Sequence, residues 1–222
     1  VKALSIEMSF DFICPWCLIG KRNLEKALAS LAASRPEVPV HVQWRGVQLL
    51  PDLPVEGVPF AEFYRRRLGS EAAVKARQAQ VQEAAYHADV DIDLARIRRM
   101  PNTANAHRLL ERAAERGSQT QLNALLEGLF AAYFQQGEDL GDRDLLLKLA
   151  RRCGFDPEVL APVLSDEGRP YVGRVAVPDN RAVPSFVLDG AISLAGAQPS
   201  WLMLAQLHRA LEARGGAEAR SA

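Results

Sequence analysis

Residues 9–28 read SFDFICPWCLIGKRNLEKAL. Two regimes meet inside this stretch. Upstream, residues 2–10 (KALSIEMSF) alternate loosely and hold β-prone residues, the pattern of a strand. Asp11 to Ile13 lead out of it. From Pro15 the period becomes helical, with Leu18, Leu24, Ala27, Leu28 and Leu31 at helical spacings, and it ends near Arg35-Pro36. Pro15 suits the first helical turn, where its missing N–H costs nothing. Residues 38–45 (VPVHVQWR) alternate again, with Val38, Val40, Val42 and Trp44 on one face. The three segments predict a strand–helix–strand unit with parallel strands.

The pair Cys14-Pro15-Trp16-Cys17 therefore falls where a strand hands over to a helix. A helix N-terminus offers unpaired N–H groups and the positive end of a dipole. Both favour a thiolate over a thiol, and the thiolate is the nucleophile in disulfide exchange. The two-residue spacer lets Cys17 reach back to a mixed disulfide on Cys14. Cys14, at the helix mouth, reads as the attacker, and Cys17, a turn inside, as the buried partner. Trp16 is expected to be exposed beside them and to contact substrate with Pro15. A zinc half-site would need further ligands, and the other candidates are Cys153, His41, His87, His107 and His208, scattered through the chain. No metal is expected.

Downstream the chain changes character. Residues 51–59 (PDLPVEGVP) form a Pro-rich connection, and helical signals then follow almost without break. Residues 60–88 are rich in Ala, Glu, Arg and Gln. Asn102 or Thr103 can cap a helix that Gly117 ends, and Ser118 can cap the next. That next helix carries Leu122, Leu125, Leu126, Leu129, Phe130, Tyr133 and Phe134, a core stripe running towards Gly137. Asp142 caps another helix to Cys153-Gly154. Asp156-Pro157 opens one more, with Val159, Leu160, Val163 and Leu164 inward. Strand signals return at 184–188 and 192–194, joined by Asp189-Gly190, a hairpin dipeptide. Pro199 opens a last helix through Leu204, Leu207 and Leu211, and residues 215–222 read as a disordered tail. Val183-Pro184 precedes a strand. Besides an ordinary edge position, it suits a cis-proline loop facing the cysteines, with Val183 free to pair with extended substrate.

The 222 residues are 48% hydrophobic and 24% charged, a globular composition. Lys plus Arg number 27, as do Asp plus Glu, so no basic surface announces a nucleic-acid partner. No apolar run of about 18 residues suggests a membrane span. The start of the chain lacks the pattern of a secretory signal, although an opening Val leaves a removed leader or a trimmed Met open. Three cysteines fit a reducing compartment with one active pair better than a secreted disulfide scaffold. Cytoplasmic residence is the expectation.

With these residues in hand, the chain resembles the DsbA-like branch of the thioredoxin superfamily, and within it the FrnE-like proteins. The stretches that carry the resemblance are residues 9–28, 42–57 (VQWRGVQLLPDLPVEG), 99–110 (RMPNTANAHRLL), 129–146 (LFAAYFQQGEDLGDRDLL) and 183–199. It implies an α/β, thioredoxin-like fold with a large all-helical insertion. The expected divisions are 1–57 and 173–214 for the two halves of the core, 58–172 for the insertion, and 215–222 for the tail. It also implies dithiol–disulfide chemistry with no bound prosthetic group; glutathione is a candidate redox partner. Protein or small-molecule thiols and disulfides are the expected substrates, and a homodimer is allowed. By position, Cys14 matches the nucleophile, Cys17 the resolving cysteine and Pro184 the cis-proline.

The same branch holds kappa-class glutathione transferases and 2-hydroxychromene-2-carboxylate isomerases, which generally place Ser where this chain has Cys14. Pro101-Asn102-Thr103 resembles a stretch they share, so Asn102 is a candidate substrate contact as well as a cap. A glutathione-dependent isomerase or transferase is the alternative function. One departure stands out: residues 171–182 (YVGRVAVPDNRA) contain Pro178, which breaks the charged helix usual before the cis-proline. Arg65-Arg66-Arg67 reads as a solvated helix face, with an anion site as the alternative; Cys153 reads as semi-buried, with a regulatory thiol as the alternative; and Trp44 and Trp201 read as core.

Overall fold

A computed structural model describes residues 3–164, 167–173 and 182–221, and the side chains as far as Arg214. Strand β1 (Leu4–Phe10) leads through a short loop into helix α1 (Pro15–Ser34), and β2 (Val40–Gly46) follows. β1 and β2 pair in parallel, Leu4 opposite Val40 through Phe10 opposite Gly46. β5 (Ser185–Leu188) pairs antiparallel with β1, and β6 (Ile192–Ala195) antiparallel with β5. The sheet order is β2-β1-β5-β6. β1 is thus central, and Leu4, Ile6 and Met8 are wholly buried. β2 is an edge strand, which explains why Val40 is exposed although the alternating pattern put it on a core face. Asp189 and Gly190 both take positive φ (55° and 70°), as a tight hairpin turn requires.

The block between β2 and β5 holds α2 (Phe60–Leu68), α3 (Glu71–Ala88), α4 (Ala104–Arg116), α5 (Gln119–Phe134), α6 (Arg143–Arg152) and the single turn α7 (Pro157–Leu160), which runs on as a 3₁₀ turn. It is not all-helical. Val58-Pro59 (β3) pairs antiparallel with Arg99-Met100 (β4), a two-residue bridge that ties the start of α2 to the lead-in of α4. The expected caps are in place at three helices. Ser118 and Gln121 form a reciprocal capping box on α5, Asp142 accepts from Asp144 and Leu145 N–H, and Asp156 accepts from Glu158 N–H. Gly69, at φ 83°, splits the run 60–88 into two helices.

Leu125, Leu129 and Tyr133 of α5 are wholly buried, so the stripe is core. The core is continuous from the sheet into the helical block. Its seam is aromatic: the ring of Phe130 lies 5.8 Å from Phe10 and 5.3 Å from Phe12. α8 (Ser200–Ser221) packs on α1 and touches β5.

Two side-chain expectations are corrected. Trp201 is 69% exposed. It lies about 200° round α8 from Met203, which faces the core with Leu207 and Ala210. Val159 is exposed because α7 is too short to bury more than Leu160. The backbone of α8 runs helical as far as Ser221. The irregular lead-in expected around Pro178 lies outside the described residues. Among the described residues no helix is long and apolar enough to cross a membrane.

Candidate active site

Phe10 ends β1, and Asp11, Phe12 and Ile13 carry the chain to the mouth of α1. Cys14 is the N-cap residue (φ −91°, ψ 108°) and Pro15 opens the first turn. The Cys14 N–H donates to Asp11 O at 3.1 Å, and the Cys17 N–H to Cys14 O at 3.0 Å. This fixes the two sulfurs differently. Cys14 is 9% exposed and borders an open cleft, while Cys17 is wholly buried one turn in. Burial pushes the Cys17 thiol well above its usual range, and its hydrogen bond with Cys14 adds to the effect. Both thiols are free.

Val183-Pro184 is a cis peptide bond, and the Val183 carbonyl lies 3.9 Å from Cys14 Sγ. Gly20 makes this approach possible. A β-carbon there would come within 3.1 Å of the Pro184 ring and 3.2 Å of Phe186, tighter than ordinary contact, so glycine eases the close approach of α1 to the proline. Pro184 O accepts from Gly196 N–H at 2.8 Å, which anchors the loop to the turn after β6.

The cleft at Cys14 has a volume of about 430 Å³. Pro15 and Trp16 form one wall, and α2, α3, the segment after β2, β4 and the end of α5 contribute the rest with Leu94. Its floor is apolar, with Leu50, Phe60, Val81, Met100 and Phe134 among its residues. Trp16 is half-buried rather than exposed, and the Arg77 guanidinium covers its ring at 5.3 Å. Tyr64 also lines the cleft; burial, and then the neighbouring Cys14, push its hydroxyl above its usual range.

Asn102 is placed elsewhere. Its Oδ1 accepts from Gln48 Nε2 and Ala104 N–H, and its Nδ2 donates to Leu53 O. The residue is buried and is not among those lining the Cys14 cleft, so its amide works as a tie between the segment after β2 and the start of α4. Thr103, the N-cap residue of α4, makes no side-chain cap bond.

Two features escaped the sequence reading. Asp11 is wholly buried directly before the cysteine pair. Its Oδ2 accepts from Leu49 N–H at 2.7 Å, and its Oδ1 lies 3.1 Å from His107 Nε2. The pair fastens the cysteine loop to both the segment after β2 and α4. Lys21 is buried in α1, where it ion-pairs with Glu25 and with Glu127 of α5. An acidic residue three positions before a Cys-x-x-Cys was the one signal available for Asp11; His107 and Glu127 lie too far along the chain to be linked by pattern.

The family description of the DsbA-like thioredoxin domain matches residues 5–171. The chain belongs to this family. A probable DsbA oxidoreductase from Streptomyces coelicolor is 28% identical to this DsbA-like protein, with a TM-score of 0.80 over 94% of this chain and 90% of the other. The uncharacterized protein YwbO of Bacillus subtilis (strain 168) is 25% identical over 84% of this chain and 88% of its own. A 2-hydroxychromene-2-carboxylate isomerase superposes with a TM-score of 0.60 at 13% identity, over 96% of this chain and 98% of the other. At that identity the likeness is one of fold. The DsbA-like chain keeps sulfur at both positions 14 and 17.

Proposed function

We propose that this protein is a thiol–disulfide oxidoreductase acting by dithiol–disulfide exchange through Cys14 and Cys17. One observation carries the reading: a rim cysteine at a helix N-terminus stands over a wholly buried second cysteine whose thiol is held protonated. The Cys14 thiolate attacks one sulfur of a substrate disulfide, and the other sulfur leaves as a thiolate. Cys17 then gives up its proton and attacks Cys14 Sγ, which releases the second substrate thiolate and closes the Cys14–Cys17 disulfide. Two electrons pass from the dithiol to the substrate, and the reverse sequence oxidises a dithiol. Val183, beside Cys14, offers its backbone to an extended substrate. We place the protein in the cytoplasm, with glutathione as its redox partner. Support for the compartment comes from cysteine usage, three in the chain with one close pair.

Equilibration against glutathione buffers tests the proposal. The Cys14–Cys17 disulfide is expected to form with a dependence on the square of reduced glutathione, the signature of an intramolecular bridge. Glutathione adducts on separate cysteines, without the bridge, would overturn it.

The pH dependence of the second step follows from Cys17. Burial is the largest cause of its raised value, and burial persists once Cys14 is capped as a mixed disulfide. A raised thiol pKa favours the neutral form, so the thiolate fraction at neutral pH is small and grows about tenfold per pH unit. Resolution of the mixed disulfide should therefore accelerate about tenfold per unit between roughly pH 6 and 8. Rapid mixing of reduced protein with a chromogenic disulfide reads this as the second burst of released thiolate. A flat second phase would count against Cys17 as the resolving group.

A further inference from the structure

The charge around the Cys14 cleft is one-sided. The chain holds equal numbers of basic and acidic residues. The cleft lining, however, includes two guanidinium groups, Arg67 and Arg77, and no carboxylate. Neither arginine forms a salt bridge among the described residues. Arg77 lies over Trp16 and reaches Gln80, and Arg67 lies over the Phe63 ring at 6.0 Å. The neighbouring Arg66, by contrast, is spent on Glu62 and does not line the cleft. Both lining arginines are exposed at the rim, above an apolar floor. At about 430 Å³ the cavity falls in the range of small-molecule sites, about 300–1,000 Å³, and is far larger than a sulfur atom needs.

We propose that the Cys14 cleft takes low-molecular-weight disulfides whose sulfur is attached to an apolar, preferably aromatic, group bearing a carboxylate, with Arg67 and Arg77 as the specificity-determining residues. The apolar group lies on the floor and its sulfur reaches Cys14. The carboxylate meets the guanidinium pair, whose planar donors match it in geometry. The inference rests on the dithiol reading and adds the identity of the substrate. In the step itself, the Cys14 thiolate bonds to one aryl sulfur while the aryl–aryl S–S bond breaks and the first arylthiolate leaves. Cys17 then displaces the second, so that two electrons move from the cysteine pair to the aryl disulfide.

The experiment compares reduced protein against two aryl disulfides, 5,5′-dithiobis(2-nitrobenzoate), which carries carboxylates, and neutral 4,4′-dithiodipyridine. Each rate is divided by that of free N-acetylcysteine with the same probe, which removes the probes' intrinsic reactivities. The normalised anionic-to-neutral ratio should exceed one in the wild type and fall about fivefold in the Arg67→Gln/Arg77→Gln double variant, the scale of two exposed ion pairs. It should hold its wild-type value in Arg66→Gln, which removes the same charge outside the cleft. Taking the ratio cancels any general effect of the arginines on Cys14. An unchanged ratio in the double variant, or an equal fall in Arg66→Gln, would overturn the specificity proposal and leave the dithiol reading intact. A preference for acidic over neutral peptide disulfides, with none among the small probes, would likewise overturn it. Failure of Cys14 to react with either probe faster than N-acetylcysteine would instead remove the dithiol reading, and this inference with it.

Discussion

Replacing Cys17 by Ser will abolish turnover with disulfide substrates and leave Cys14 trapped in mixed disulfides. The expected loss in multiple-turnover assays is at least about a hundredfold, because release of the mixed disulfide then depends on outside thiol instead of a sulfur one helical turn away. Insulin reduction or refolding of a scrambled disulfide protein gives the rate, and intact mass under non-reducing conditions gives the adduct. Cys14→Ser should be equally inactive and trap nothing, since Cys17 is wholly buried and cannot meet a substrate. The two variants separate the leading function from its alternative. A glutathione-dependent isomerase needs a polar group at position 14 to hold the cofactor's sulfur and does not need Cys17. Full turnover in Cys17→Ser, or glutathione-dependent isomerase activity surviving in Cys14→Ser, would replace the dithiol mechanism with the alternative. The variants decide what the fold does not, because a 2-hydroxychromene-2-carboxylate isomerase shares the fold.

What the sequence made legible was local chemistry. Ser118, Asp142 and Asp156 could be read as caps because a cap acts within three residues of itself. Asp189-Gly190 marked the hairpin because few residues accept two successive positive φ angles. Cys14-Pro15-Trp16-Cys17 was legible for the same reason: strand, turn and helix start all lie within ten residues. What was missed depends on partners far along the chain. The β3–β4 bridge joins residues some forty positions apart through two residues each, too few to leave a periodic pattern. Trp201 and Val159 were assigned to the core on side-chain type, but the facing surface of α1 and the shortness of α7 decided otherwise. Arg67 was read correctly as exposed. That it lines the cysteine cleft could not be read, because Arg67 and Arg77 come to border one cleft only when α2 and α3 fold against the start of α1. Asp11 and His107, 96 positions apart, meet for the same reason.

Phe130→Ala should cost about 3–5 kcal/mol, the usual penalty for emptying a buried phenylalanine site. The ring is 1% exposed and stands where the helical block meets the sheet. On one side it touches Phe10 and Phe12, which close β1 and lead to Cys14; on the other it stacks near Phe134 of its own helix at 6.3 Å. The aromatic contacts add to its burial, at about 0.5–1.5 kcal/mol for a pair. A domain of this kind has about 5–15 kcal/mol in total, so the loss is a large share. Its distribution is the informative part. The core runs without a break from sheet to insertion, and Lys21 with Glu127 and Asp11 with His107 cross the same boundary. The block should therefore unfold together with the sheet. Thermal unfolding of Phe130→Ala should remain a single transition, lowered by about 10 °C for a chain of this size. Alkylation of buried Cys17 should follow the same curve as circular dichroism. An early transition that leaves Cys17 protected would mean that the helical block melts alone, and that the aromatic seam does not hold the cysteine loop in place.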